Sequence, residues 1–205
     1  MVLPLYLAMT ASEFRPVPYP ALLMLEGTEV PPAGVLPVVT DCFPSDGQAL
    51  HQLCHGREAV LLDFEHPPTP SLREMIRGLP CPCAAPPGYG DGPVFLPPAP
   101  LHVPLAQYLA PYKGRDIWLE AALQRQTVTV TASGVTVEPP LPNRSFEGGF
   151  YDEKLRCRFT QEFSEDRAVF TLFDTPETLV KKLDHAAALG VTRAVGLDQE
   201  LGRYY

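Results

Sequence analysis

Short apolar runs, each stopped by proline, glycine or an acidic residue, constrain the fold of this 205-residue chain more than any other feature. Runs of this length without polar alternation are typical of strands that are buried on both faces, as in parallel sheets. We interpret eight runs as strands, at residues 3–10, 21–27, 35–41, 59–65, 80–86, 93–98, 116–123 and 193–199. The 25 prolines lie mostly between apolar runs, which predicts tight, stiff connections.

Four segments carry helix signals. Residues 175–190 and residues 69–78 both open on Thr-Pro and close on glycine, which predicts a capped start, a proline in the first turn and a glycine stop. Residues 45–56 and 104–110 are weaker helix predictions. The remaining connections are too short or too rich in proline for full helices.

One stretch breaks the pattern of buried runs. Residues 127–139 alternate strictly around Ser133-Gly134, which predicts a β-hairpin with one solvated face. Residues 157–163 and 168–174 follow as a second antiparallel pair. We therefore predict an antiparallel insertion over residues 124–172, before the last helix and strand of a single domain that spans residues 1–205.

Charge and hydropathy exclude several classes of partner. The net charge is −8, whereas nucleic acids and anionic membranes bind basic surfaces. No segment reaches the roughly 18 apolar residues of a membrane helix. The N-terminal residues 1–16 contain Pro4 and no basic residue before the apolar stretch, so we do not interpret them as a signal peptide.

The cysteines favour free thiols in a reducing cytoplasm, because their number is odd and the chain is not small. The five are Cys42, Cys54, Cys81, Cys83 and Cys157. Together with His51, His55 and His66, the first four could be assembled into a metal site. The C-x-C spacing of Cys81 and Cys83 departs from the usual C-x₂-C, so we predict buried thiols and no metal.

Two acidic residues end the run at residues 59–65. Side chains alternate along a strand, so Asp63 and Glu65 share one face. At the carboxyl end of a parallel strand, the two side chains would face one interior cavity. Because neighbouring carboxylates repel each other, one of the two tends to stay protonated near neutral pH. The alternative is that the strand simply ends in solvated acids.

Further polar residues are expected around the same mouth. His66 follows Glu65 directly, as a ligand, an acid–base group or a loop histidine. Trp118 and Glu120 lie on one face of their strand. If that face points inward, both residues line this cavity. If it points outward, Glu120 pairs with a basic residue of a helix. In the last strand we expect Leu197 and Gln199 to point inward, with Asp198 and Glu200 outside.

The stretch EAVLLDFE at residues 58–65 resembles the D-x-x-D-x-D-x-E signature of family-18 glycoside hydrolases, the chitinase-like barrels. In this resemblance Glu65 falls on the catalytic acid and Asp63 on the aspartate that holds the substrate acetamido group. Glu58 stands where the first aspartate would be, and Leu61 replaces the second.

Residues 173–202 are similar to the end of chitinase-like and spore cortex-lytic proteins, where an inserted subdomain leads to an acidic helix and a final strand. The tryptophan of that strand aligns with Gln199 or near it, and the sixth-strand M-x-Y-D has no counterpart. Trp118 is the only tryptophan of the chain.

The resemblance implies a reduced (β/α)8 barrel with the antiparallel insertion. A usual barrel needs about 250 residues, so several helices must be short or missing. The implied function is a divergent glycoside hydrolase, without cofactor, that acts on or binds N-acetylated sugars of the peptidoglycan or chitin type. Glu65 would protonate the leaving oxygen and Asp63 would orient the acetamido group, whose oxygen attacks the anomeric carbon.

Two alternatives remain open at the level of sequence. The first is a non-catalytic barrel that serves as a carbohydrate-binding or interaction module. The second is an enzyme of changed chemistry that uses Glu65 with His66 or Glu120 on another small molecule.

Overall fold

The computed structural model describes residues 3–25, 30–41, 47–145 and 147–204. The end of the run at 21–27, the start of the predicted helix at 45–56 and Cys42 lie outside the described residues. All eight predicted runs form strands, and together they make one parallel sheet. Its strands are β1 (Leu5–Thr10), β2 (Ala21–Leu25), β3 (Leu36–Thr40), β4 (Val60–Asp63), β5 (Cys83–Ala84), β6 (Val94–Leu96), β7 (Ile117–Glu120) and β14 (Val191–Leu197).

The sheet curls into a nearly closed barrel. Its strand order is β5-β4-β3-β2-β1-β14-β7-β6. A single parallel bridge between Ala85 and Val94 joins the two edge strands, supported by a hydrogen bond of 2.8 Å from the Phe95 N–H to the Ala85 carbonyl. The prediction of an α/β barrel is therefore confirmed.

Helices cover the barrel unevenly. They are α1 (Gly47–Cys54), α2 (Pro70–Arg77), α3 (Leu105–Leu109) with a 3-10 turn (Ala110–Tyr112), α4 (Pro176–Ala188) and α5 (Asp198–Leu201). Within the described residues, the connections from β1 to β2 and from β5 to β6 contain no helix. No helix in the described part of the chain is long and apolar enough to cross a membrane.

The two best helix predictions are confirmed down to their caps. The Thr69 hydroxyl accepts a hydrogen bond of 3.2 Å from the Leu72 N–H at the start of α2. Thr175 and Thr178 form a reciprocal capping box at the start of α4, which satisfies N–H groups that the first turn leaves unpaired. Gly190 follows α4 with φ +96°, a conformation that glycine adopts without strain.

A second, antiparallel sheet lies between β7 and α4 along the chain. Its strands are β8 (Gln124–Thr131), β9 (Gly134–Val137), β10 (Leu141–Pro142), β11 (Phe150–Asp152), β12 (Cys157–Phe163) and β13 (Arg167–Phe173). The order is β10-β8-β13-β12-β11, and β9 pairs with β8. The predicted hairpin and the second antiparallel pair are both present.

Apolar side chains fill the barrel and also cover its outside. On β4, Leu61 packs in the interior cluster while Val60 and Leu62 pack against α1 and α2. On β7, Trp118 lies inside and Ile117 lies outside. This alternation decides which polar residues reach the mouth.

Candidate functional site

A small cavity opens at the carboxyl ends of the barrel strands, where active sites of such barrels form. Asp63 closes β4 and Glu120 closes β7, and both side chains continue the inward-facing rows of their strands. The cavity holds about 40 Å³. Its lining is apolar apart from the two acids and consists otherwise of Ala8, Met24, Val38, Leu61, Phe95, Val195, Gly196 and Leu197.

The apolar lining changes the acidity of both carboxyl groups. Burial, together with the nearby charges of Asp63 and Glu200, raises the pKa of Glu120 to about 7. Burial also raises the pKa of Asp63, with smaller contributions from Glu65 and Asp41, although Asp63 remains open to solvent at the rim. Neither carboxylate has a hydrogen-bond partner among the described residues. A half-buried acid that titrates near neutrality can donate a proton and take it back.

Asp63 and Glu65 do not share the mouth cavity as expected, although the charge of Glu65 helps to raise the pKa of Asp63. The strand stops at Asp63, where the pairing with Thr40 of β3 also stops, so the two-residue alternation does not extend to Glu65. Glu65 is exposed and is absent from the lining of the mouth cavity. Glu120 takes the place beside Asp63 that was expected of Glu65.

Glu65, through its backbone N–H, and His66, through its ring, both contact Asp41, which follows β3 directly. The Glu65 N–H donates to Asp41 Oδ2 at 2.8 Å, and His66 Nδ1 lies 2.9 Å from the same oxygen. This contact, and the charge of Asp41, raise the pKa of the exposed His66 imidazole. The Tyr89 hydroxyl donates to the carbonyl of His66. These contacts hold a rim loop and leave the mouth to Asp63 and Glu120.

Trp118 points inward, which is the first of the two orientations left open by the sequence, but it does not line the mouth cavity. It is 0% exposed, stacks on Tyr6 with ring centroids 6.4 Å apart, and carries the Arg193 guanidinium 4.5 Å above its ring. Arg193 also pairs with Glu58. This cluster seals the amino end of the barrel, so Trp118 offers no stacking face to a sugar.

The inward position expected for Gln199 is wrong. Strand β14 ends at Leu197, and the following residues form α5 instead of continuing the strand. Gln199 is exposed, and its side-chain amide donates to Glu13 in the turn that follows β1. Asp198 and Glu200, expected outside, are both absent from the lining of the mouth cavity. Asp198 accepts hydrogen bonds from Arg15 at 2.8 Å and Tyr19 at 2.7 Å. Glu200 is half-buried and accepts a hydrogen bond of 2.6 Å from the Leu123 N–H.

A larger cavity of about 420 Å³ lies beside the mouth. It is lined by Thr40, Asp41, Phe64, Thr69, Ser71, Leu72 and Met75. Because Thr40 pairs with Asp63 in the sheet, this cavity begins one strand away from the acidic pair. Its volume falls within the range of small-molecule sites, about 300–1,000 Å³.

Sequence reasoning missed two residues that shape the site. Asp41 ends its apolar run as Asp63 does, and the same strand-end argument applied to residues 35–41 would have found it. Arg193 lies in an apolar run. Its guanidinium lies over the rings of Tyr6 and Trp118, and nothing in the sequence indicates this contact.

The described cysteines do not belong to the mouth. Cys54, Cys81, Cys83 and Cys157 are buried and free of disulfides. The first three form a group whose side chains could hold a metal ion, whereas Cys157 packs beside the second sheet.

Comparison with known proteins adds no family. No protein-family model matches the chain, and no curated protein matches it in sequence. Among solved structures, the chain is similar to the Bacillus cereus spore cortex-lytic enzyme SleL, with a TM-score of 0.44 and 9% identity over 95% of this chain and 70% of that one. The Bacillus megaterium QM B1551 spore cortex-lytic enzyme SleL gives a TM-score of 0.43 and 11% identity over 95% and 70% of the two chains. The candidate site therefore rests on its own geometry.

Proposed function

We propose that this protein is a divergent glycoside hydrolase of the family-18 type that acts on N-acetylated sugars of peptidoglycan or chitin fragments. Glu120 is the general acid and Asp63 orients the acetamido group. The observation that carries the proposal is Glu120 in the apolar mouth beside Asp63, with a pKa of about 7. Acidic residues whose pKa is strongly shifted, and which lie in the mouth of a barrel, are typical of catalytic sites.

The proposed reaction needs a proton and a positioned nucleophile. Protonated Glu120 gives its proton to the glycosidic oxygen, and the bond between that oxygen and the anomeric carbon breaks. The acetamido oxygen of the substrate attacks the anomeric carbon, as in substrate-assisted hydrolases. Water then opens the intermediate, and Glu120 recovers a proton from it.

The size of the mouth sets how a glycan would bind. A cavity of about 40 Å³ holds little more than one water molecule, so a sugar ring would lie across the rim above Glu120 and Asp63. The neighbouring cavity of about 420 Å³ offers Thr40, Asp41, Thr69 and Ser71 as hydrogen-bonding groups. A second ring of the same glycan would occupy it.

The test compares two glutamates that the structure separates. We expect Glu120→Gln to lower the hydrolysis of N-acetylglucosamine oligomers or muropeptides by about 10²–10⁴-fold, the usual effect of losing a general acid. Glu65→Gln, an equally conservative change on the rim, should keep activity close to wild type. Mass spectrometry of the products with both variants measures this. Loss of activity in Glu65→Gln alone would return the acid role to Glu65.

A second candidate is a non-catalytic barrel that binds glycans. Two observations favour it: the small mouth, and the complete burial of Trp118, since sugar sites usually present an open aromatic face. Calorimetry with the same oligomers separates the two functions. Binding without hydrolysis supports this second candidate, and neither binding nor hydrolysis contradicts both.

A further inference from the structure

Three cysteines from separate segments meet in the outer core of the barrel. Cys54 is the last residue of α1, Cys81 lies in the loop before β5, and Cys83 is the first residue of β5. Their sulfur atoms all lie within 4.8 Å of one another. The three residues are 0%, 8% and 6% exposed, so their sulfurs face each other across an apolar interior that includes Leu50 and Ile76.

The spacing of the sulfurs suits a single metal ion. Thiolates bound about 2.3 Å from one ion lie about 4 Å from each other in a trigonal arrangement. The thiols of this cluster need to move by less than about 1 Å to reach that geometry. The Cys83 S–H donates to the Cys81 carbonyl at 3.4 Å, a weak contact that metal binding would replace.

The donor set selects the kind of metal. Among the described residues the group contains no carboxylate and no imidazole. Soft sulfur ligands favour soft ions such as Cu(I). Structural zinc sites almost always use four ligands, and the described cluster supplies three.

A cavity connects the cluster with the surface. It has a volume of about 250 Å³, and both Cys81 and Cys83 line it together with the loop from Gly90 to Pro93. Arg77 and Asp91 line the same cavity. An ion therefore has a route to the sulfurs without opening of the barrel.

We infer that Cys54, Cys81 and Cys83 form a binding site for a thiophilic metal ion, with Cu(I) as the ion that this three-sulfur set fits best. Each thiol that coordinates the ion loses its proton to solvent. The site lies outside the barrel mouth and is independent of the proposed hydrolase function.

The test loads the reduced protein with Cu(I) under anaerobic conditions. We expect one equivalent to bind, with thiolate-to-metal charge-transfer absorption and an X-ray absorption spectrum that shows only sulfur neighbours, about three in number. Cys81→Ala and Cys83→Ala should weaken binding at least about tenfold. Cys157→Ala, which removes a buried thiol near the second sheet, is the matched control and should bind like wild type.

Other outcomes overturn the assignment. Equal binding by wild type and both cluster variants would place the ion elsewhere. An X-ray absorption spectrum of the folded wild type that shows mainly nitrogen or oxygen neighbours around the metal would exclude the sulfur site. A Zn²⁺ complex that is lost in Cys42→Ala as well as in Cys81→Ala, with no Cu(I) binding, would replace it by a four-thiolate zinc site.

Discussion

At the scale of single residues, two glutamates near the mouth differ in environment although they are the same residue type. Glu120 lies in the apolar interior and titrates near neutrality because burial destabilises its charged form. Glu65 lies on the rim, exposed to water, with its backbone N–H bound to Asp41. Position along the strand, and not residue type, separates the candidate acid from the surface residue.

The raised pKa of Glu120 predicts a dependence of stability on pH. The folded protein holds the proton up to a pKa of about 7, against an ordinary value of 4.5. The contribution to the free energy of unfolding is therefore fully present below about 4.5 and is lost as the pH rises through about 7. We expect Glu120→Gln to remove this loss, of about 3–4 kcal/mol at most, in urea unfolding measured across that range. Glu65→Gln is the control; an unchanged slope in Glu120→Gln would contradict the prediction.

The limits of sequence prediction are visible in the same residues. Alternation placed Asp63 on an inward face and put Trp118 and Glu120 on one shared face, because each lies within a paired strand, but it left open whether that shared face points inward. It failed for Glu65 and Gln199, because the ladders end at Asp63 and Leu197. Where a strand stops depends on its neighbour in the sheet, which a single run of residues does not encode.

At the scale of elements, α4 is held to the second sheet by a buried ion pair. Lys182 Nζ lies 2.6 Å from Asp174 Oδ1, with the two side chains 10% and 1% exposed. The backbone of Asp174 is also fixed, since its N–H donates to the Gln124 carbonyl at 2.8 Å and its carbonyl accepts from Asn143 at 2.8 Å. The pair thus joins a helix, a strand and a loop at one point.

Breaking this pair should be costly. We expect Lys182→Met to lower the free energy of unfolding by about 3–5 kcal/mol, because it leaves a buried carboxylate without its cation. Lys181→Met, one residue earlier, removes an exposed pair with Glu177 and a contact of 4.7 Å with the Tyr151 ring. It should cost less than about 1 kcal/mol. Denaturant unfolding of both variants measures the difference, and the double variant Asp174→Asn/Lys182→Met should recover part of the loss. Similar effects of the two lysine substitutions would contradict the prediction.

The starts of the helices show which structural features can be predicted from local sequence signals. Thr69 and Thr175 lie directly before proline, and both cap the helices that follow them. Helix α5 has no side-chain cap and depends on the contact of Asp198 with Arg15 and Tyr19, far away along the chain. The sequence around Asp198 therefore resembles a continuing strand, and only the folded chain shows the turn.

At the scale of the whole molecule, two separate hydrophobic clusters cover the outside of the barrel. One packs on β6, β7, β14 and β1 together with α3 and α4. The other packs on β2 to β5 together with α1 and α2. Between β5 and β6 the sheet is joined by the single bridge at Ala85 and Val94.

This arrangement predicts uneven protection of the backbone. The N–H groups of Ala85 and Phe95 donate across the contact between the β5 and β6 edges. We expect these two amides to exchange with deuterium at least about tenfold faster than those of the β1–β14 ladder, because short ladders open locally. Hydrogen exchange followed by mass spectrometry or NMR measures both sets in one sample. Equal protection of the two sets would show that the barrel opens only as a whole.

The bridge between β5 and β6 lies between the two strands that carry the acidic pair, because the ring continues β4, β5, β6, β7. Asp63 and Glu120 therefore flank the shortest contact of the ring. If that contact loosens, water reaches the half-buried carboxyl group of Glu120, the two acidic groups move apart, and Glu120 releases its proton more readily. We therefore expect a larger side chain at Ala85, an uncharged residue of the barrel wall, to shift the titration of Glu120 without contacting it.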